Sequence, residues 1–324
     1  MNLKSLQNGM SEGFVLLKKC DEKNTKNGST YLDIILSDKD GEMPAKLWDY
    51  KGENLFETGM VVKIRGTVEQ YNGHDQFRIS QIRPASSTDD YNLSDIVPSS
   101  EVGGEQIFDM IINRVNAFKD ADLKNIVLEI LNDKKDLMIT CPAAFKLHHA
   151  IVGGLMLHTI SIVRMAEEIC KIYPNIDKEL LLSGAILHDV AKTWEFELSK
   201  TGLVKGYTTE GELIGHLVKG AIYIEEAAKK LNIKSEKVVL LQHMVLSHHG
   251  EPEYGAAVRP SFLEAEILSD LDSLDAKIFE INSATSKVNP GEFTDRMWAL
   301  DNRKLYNHGR TSTEHKVNLD WDKF

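Results

Sequence analysis

The sequence predicts a multidomain chain of two unlike parts: an N-terminal OB-type β-barrel and a larger all-α domain. Three observations predict it. Residues 12–83 fall into five short β-rich runs broken by turn residues. From residue 105 onward, apolar side chains recur at three- and four-residue intervals. A length of 324 residues also exceeds what one typical compact core serves.

The strands come first. Gly13–Lys18 is apolar and extended, and Tyr31–Leu36 is rich in β-formers. Asp38-Lys-Asp-Gly41 is a turn signal, with Glu42–Trp48 as the hairpin partner. Val61–Glu69 and Gln76–Arg83 flank a turn at Asn72-Gly73. Five strands in so short a stretch suit a small Greek-key barrel. We assign residues 1–85 to this barrel and 86–104, with its Pro, Ser and Gly, to a linker. Ile107, Met110, Ile111, Val115 and Phe118, then Leu123, Ile126, Val127, Ile130 and Leu131, predict helices in a connector over 105–147. Further helices are expected over roughly 148–172, 177–190, 213–231, 235–248 and 261–282, within a domain of 148–285. The tail, 286–324, is polar, with Trp298 and Trp321 as docking anchors.

Composition narrows the function. No apolar run reaches the ~18 residues that span a bilayer, and no signal-peptide pattern opens the chain. Cys20, Cys141 and Cys170 form no CxxC pair, so neither a thiolate metal site nor a disulfide framework is expected. A cytoplasmic protein without a membrane partner fits best. The net charge is −11, yet residues 1–85 balance 12 basic against 12 acidic residues, so the whole excess lies further on. That excess reads either as a solvated acidic surface or as carboxylates around metal ions.

The chemistry gathers in the helical part. Of 11 histidines, eight lie between residues 148 and 249: His148, His149, His158, His188, His216, His243, His248 and His249. His188-Asp189 ends an apolar helical run beginning at Leu180. Adjacent imidazole and carboxylate at a buried helix end suit a transition metal, and a carboxylate can bridge two ions. The order His158, His188-Asp189, His216, His248-His249, Asp272 puts one or two donors on each of five successive helices, a known way to enclose a two-metal site in a bundle. Lys192, four residues after His188, would face the same side if the helix continued, and could contact a phosphate; it also reads as a surface lysine. His149 could touch substrate. His243, five residues before His248, reads as a packing histidine, and His74, His148, His308 and His315 as surface or structural ones. Asp275 reads equally as a metal ligand and as a carboxylate behind a ligand or on the helix surface, and Asp270 faces outward.

This H…HD…D frame resembles the HD-domain phosphohydrolase superfamily. More closely, His148-His149-Ala-Ile-Val-Gly-Gly-Leu-Met-Leu-His158-Thr, His188-Asp-Val-Ala-Lys192, Gly215-His216, Ser247-His-His-Gly250 with Glu253-Tyr-Gly255, and Asp272-Ser-Leu-Asp-Ala-Lys277 resemble the YhaM family of 3′→5′ exoribonucleases, from about residue 10 to about 310. One departure is Ser269, where a histidine or other polar group would begin the last motif. The resemblance implies an OB-fold joined to an HD domain and a centre of two divalent ions, manganese by preference. By position, one ion takes His158, His188, Asp189 and Asp272; the other takes Asp189 as bridge with His216, His248 and His249. Catalytic roles fall to Asp189, Lys192 and His149. The implied function is RNA degradation: hydrolysis of single-stranded RNA, or single-stranded DNA, from the 3′ end by a two-metal hydroxide mechanism that releases nucleoside 5′-monophosphates.

The barrel supplies the polymer argument, since single strands are held by aromatic stacking and cationic grooves. Candidate stackers are Tyr31, Trp48, Tyr50, Tyr71 and Phe77, with Trp48 and Tyr71 preferred for their place near strand ends; each alone also reads as core. Candidate phosphate contacts are Lys46, Lys63, Arg65, Arg78 and Arg83, with Lys46, Arg65 and Arg78 preferred. Two rivals stay open: a phosphodiesterase or nucleotidase for a small nucleotide, and a single-strand-binding replication factor with a vestigial HD domain. A homo-oligomer is compatible with all three readings.

Overall fold

The computed structural model describes residues 1–324 except 7–8, 40, 53–55, 87, 98, 101, 146–149, 200, 314 and 321–324. The chain divides into two compact units, Met1–Glu101 with Glu197–Gly206, and Val102–Phe196 with Tyr207–Phe324.

The first unit is built on five strands: β1 (Met10–Asn24), β2 (Thr30–Ser37), β3 (Glu42–Leu47), β4 (Val61–Tyr71) and β5 (His74–Pro84). They close into a barrel in the order β1-β2-β3-β5-β4. Every pairing is antiparallel except β3 with β5, where Ala45 opposes Phe77. This is the OB-type barrel expected from the sequence. Period-two alternation sets its faces: Leu32, Ile34 and Leu36 point inward from β2, and Tyr31, Asp33 and Ile35 point away. Phe77, fully buried, fills the core with Val15, Leu17, Val62 and Ile64. The sequence signal at Asn72-Gly73 becomes a tight β4–β5 turn, with φ of 50° and 81°.

Two segments differ from expectation. Residues 86–104, read as linker, pack onto the barrel in part: Tyr91 stacks on Phe14 with ring centroids 4.7 Å apart, and Ile96 and Val97 are buried. A hairpin between helices, β6 (Phe196–Leu198) and β7 (Val204–Tyr207), went unread, because its strands are too short to show alternation. Its residues 197–206 belong to the barrel unit, where Thr201 donates to Gly59 O at 2.9 Å.

The helical unit comprises α1 (Gly104–Asn116), α2 (Ala121–Met138), α3 (Gly154–Ile172), α4 (Lys178–Leu187), the single turn α5 (Lys192–Glu195), α6 (Thr209–Lys230), α7 (Glu236–Ser247) and α8 (Leu263–Thr285). Every α4 residue from Leu180 to Leu187 is buried, so the helix lacks a polar stripe and forms the centre of the bundle. It packs on α2, α3, α7 and α8. At Gly184 a Cβ would sit 2.2 Å from Met244 Cε, so the Met244 side chain packs directly over the α4 backbone there. Asp177 caps α4 by accepting from Leu180 N–H at 3.1 Å.

α6 is broken at Gly215, whose φ of 75° and ψ of 161° lie in a region essentially confined to glycine. The break takes His216 N–H out of the helical ladder. Beyond α8, Phe293 pairs with Tyr306 and Met297 with Arg303 in a small hairpin. Trp298 at its tip is 81% exposed, so it does not dock as the sequence reading expected; Trp321 lies outside the described residues. No helix among the described residues is long and apolar enough to cross a membrane.

Two stability predictions follow from these contacts. Phe77→Ala should cost about 3–5 kcal/mol of barrel stability, because a fully buried ring leaves a cavity; a urea midpoint equal to wild type would contradict the core assignment. Gly215→Ala should cost about 1–3 kcal/mol through backbone strain. A thermal melt superimposable on wild type would show that the α6 break tolerates a side chain.

Candidate metal centre

The centre begins with two helix ends that use one local device. His188 caps α4 and His248 caps α7. The last carbonyls of a helix lack partners within it. In each case the histidine turns back and donates Nδ1–H to the carbonyl three residues earlier, Ala185 O at 2.9 Å and Val245 O at 2.8 Å. With Nδ1 engaged, the Nε2 lone pair faces the interior. His249, next along, donates Nδ1–H to Tyr254 O at 3.1 Å.

The other two imidazoles are held by carboxylates. His158, in the middle of α3, places Nδ1 2.7 Å from Asp275 Oδ2, and Ser161 hydrogen-bonds the other Asp275 oxygen. His216, just past the α6 break, lies with Nδ1 3.0 Å from both Glu195 oxygens, and its freed backbone N–H donates to Glu195 Oε1 at 3.0 Å. All five rings thus aim Nε2 away from their anchors.

Asp189 lies where those nitrogens converge. Its Oδ2 is 3.4 Å from His188 Nε2 and 3.6 Å from His158 Nε2. Its Oδ1 is 3.4 Å from His216 Nε2 and 3.6 Å from His248 Nε2. Asp272 Oδ1 adds a contact of 3.1 Å to His158 Nε2. The donors form two clusters, His158 with His188 and Asp189, and His216 with His248 and His249.

The donor set fits metal ions. Asp189 Oδ1, His216 Nε2 and His248 Nε2 are buried without a hydrogen-bond partner among the described residues. Buried polar atoms left this way are costly, and one class of explanation is an ion. His188 Nε2 and His158 Nε2 meet at 3.2 Å although both rings already use Nδ1, so the two lone pairs repel unless a cation or proton lies between them. Ligands about 2.1 Å from a shared ion lie roughly 3–3.5 Å from one another, close to the spacings found.

The electrostatics agree. Burial acts to lower the His158 pKa, but Asp272 and Asp275 outweigh it and hold the ring up at about 10, a proton that a cation would replace. Burial lowers His188, and burial together with His248 and His216 pushes His249 down to about 3, so both stay neutral donors. Burial pushes Asp189 up, yet Lys192 and His188 outweigh it and keep the carboxyl well below its usual range.

Other expected residues fall out differently. α4 ends at Leu187, so Lys192 is not on a continuing helix; it starts α5 and donates Nζ to Asp189 Oδ2 at 2.6 Å, buried rather than open to a phosphate. His149, like His148, lies outside the described residues. His243 accepts from Ser261 N–H at 3.0 Å and packs on Phe262, away from the cluster. Asp270 is exposed. Ser269 lies against Gly250, where an added Cβ would meet its Oγ at 2.8 Å. Glu195 was not foreseen: nothing local marks it, because its partner lies 21 residues on, beyond a hairpin and a kink.

On the barrel, Trp48 is 42% exposed and packs on Tyr31 with ring centroids 4.8 Å apart. Lys46 Nζ lies 5.3 Å from the Tyr31 ring and pairs with Asp33, as Lys23 does. Together they make an aromatic and basic patch on the outer β2–β3 face. Tyr71 is exposed at the β4–β5 turn. Phe77 cannot stack on a base, being core, and Tyr50 is half-buried beside Phe56. Arg65 and Lys63 pair with Glu12 at 3.9 and 2.7 Å, Arg78 with Glu69 at 3.5 Å and Arg83 with Asp89 at 2.6 Å.

Comparison with known proteins matches these two units to two families. An OB-fold nucleic acid binding domain matches residues 12–85, and an HD domain, which implies divalent-metal binding, matches residues 156–277. A third model, TraI_2, matches residues 101–176. Among solved structures, the second OB-fold domain of replication protein A from Methanococcus maripaludis covers 28% of this chain and 98% of its own at 15% identity, with a TM-score of 0.23. The 3′-5′ exoribonuclease YhaM of Bacillus licheniformis is 36% identical over 297 residues, covering 90% of this chain and 93% of its own. The proteins of that name from Listeria welshimeri (37% over 303 residues; 91% and 94%) and Bacillus subtilis (36% over 296 residues; 90% and 93%) match similarly. Likeness at this level across nearly the whole chain makes it a member of the YhaM family of 3′-5′ exoribonucleases.

Proposed function

We propose that this protein is a metal-dependent 3′-5′ exoribonuclease that shortens single-stranded RNA, with single-stranded DNA as a secondary substrate, and releases nucleoside 5′-monophosphates in the cytoplasm. The observation that carries the chemistry is Asp189, whose two oxygens each face a different pair of imidazole nitrogens. Polarity comes from the relatives, whose names state it.

In this reading His158, His188 and Asp272 would hold one divalent ion, His216, His248 and His249 a second, and Asp189 would serve both. A set this rich in nitrogen favours manganese or a later metal over magnesium. Bound there, such ions supply Lewis acidity that polarises a phosphodiester and lets water attack it near neutral pH. The chain's own residues do the rest. The helix-end histidines present preset lone pairs, so little reorganisation accompanies reaction. Lys192 offsets part of the Asp189 charge and fixes its orientation. The Tyr31–Trp48 pair offers a stacking platform, and Lys46 a cation for the backbone. That platform favours a polymer over a small nucleotide as substrate, and the intact donor set disfavours a vestigial domain.

Asp189→Asn, which keeps size but removes the bridging charge, should reduce manganese-dependent hydrolysis to background and lower bound metal. The check is a 5′-labelled single-stranded RNA: wild type yields a ladder shortening from the 3′ end, and full activity of the variant would overturn the assignment. Trp48→Ala should weaken RNA binding by about 1–3 kcal/mol, the usual worth of one stacked base, and raise KM on RNA. Hydrolysis of a small phosphodiester should be unchanged; an equal loss on both substrates would remove the barrel face from substrate binding.

A further inference from the structure

The five imidazoles of the centre are anchored in two ways. His188, His248 and His249 lean on backbone carbonyls three to five residues away, partners that a helix end or turn provides without further design. His158 and His216 instead lean on buried carboxylates, Asp275 at a separation of 117 residues and Glu195 at 21. Asp275 is 2% exposed and Glu195 6%. A carboxylate taken that far from water is expensive unless it is well bonded, and both are: Ser161 holds the second Asp275 oxygen, and the His216 backbone N–H adds to Glu195.

The two carboxylates are distributed one to each side of Asp189. His158 faces Oδ2 and His216 faces Oδ1. An anion behind an imidazole fixes its tautomer and orientation and strengthens it as a donor to a cation, more than a neutral carbonyl does.

Resting on the two-ion reading above, we infer that Asp275 and Glu195 are positioning residues that set the affinities of the two cation positions separately, Asp275 through His158 and Glu195 through His216. Neither carboxylate touches an ion. Each acts through one ring, so its removal weakens one position and leaves the other.

The test is calorimetric titration of the metal-free full-length protein with Mn²⁺, alongside Asp275→Asn and Glu195→Gln, which keep the side-chain volume and a hydrogen-bonding oxygen but lose the charge. Wild type should take up two ions. Each variant should bind one ion as wild type does and the other roughly 10–100-fold more weakly, and the double variant should be weakened at both. Urea midpoints of the metal-free proteins report folding. Should Asp275→Asn fail to fold, Ser161→Ala, which removes only the hydroxyl steadying Asp275, should weaken the same position by a smaller factor. A single ion in wild type would overturn the two-ion reading. Two ions in wild type with unchanged affinities in the variants would overturn this inference alone, as would equal weakening of both positions in each variant.

Discussion

A carboxylate held at 2% exposure must find positive charge or hydrogen-bond donors on every side, and the helical unit is arranged around that requirement at Asp189. Lys192 reaches it from α5, and four imidazoles from α3, α6 and the ends of α4 and α7 turn their Nε2 atoms toward it, a set that a cation completes. Features elsewhere in the bundle become intelligible from there. The all-apolar α4 places the pair at the centre, Met244 of α7 packs over Gly184, and the break at Gly215 frees the His216 backbone N–H for Glu195. Without cations the arrangement is only partly satisfied: His158 keeps a proton, but the Nε2 atoms of His216 and His248 face Asp189 Oδ1 with no hydrogen bond among the described residues. Metal binding and the stability of the bundle core are therefore linked.

Much of this was legible in the chain. His188-Asp189 stands out because a polar pair ending an apolar helix has few structural uses, and Asn72-Gly73 announces its hairpin because both residues tolerate positive φ. The barrel could be read because its β-rich runs are separated by turn residues such as Asp38–Gly41 and Asn72-Gly73. What escaped was nonlocal. Glu195 sits in a one-turn helix with no sequence signature, and only the folding back of α6 brings His216 to it. Lys192 was misplaced because nothing in the sequence ends α4 as early as Leu187; the turn at 188–191 carries neither glycine nor proline. Phe77 illustrates the opposite limit: an aromatic in a small barrel is ambiguous until the strand register shows which face it occupies.

The comparison of the two units also separates two kinds of precision. The metal centre relies on largely buried anchoring, in which every ring is fixed at Nδ1 by one partner residue. The barrel face is half-open, and its aromatic pair and lysines sit at the surface, where single contacts are weaker and geometry is looser. The proposed chemistry would thus sit among buried side chains, and the proposed polymer contact among exposed ones.

The ion pairs of the barrel carry a final consequence. Lys46, Lys63, Arg65, Arg78 and Arg83 each already hold a carboxylate. On the proposed reading, an arriving strand would exchange phosphates for Asp33, Glu12, Glu69 or Asp89 instead of meeting bare cations. Exchange of that kind releases fewer small ions per contact than the number of basic residues implies, so affinity falls less steeply with added salt than such a count predicts. It also handicaps a lone phosphate, which must outcompete an intramolecular acid, relative to a chain that presents several phosphates in register. On that reading, discrimination of polymer from mononucleotide would rest on the acidic residues as much as on the basic ones.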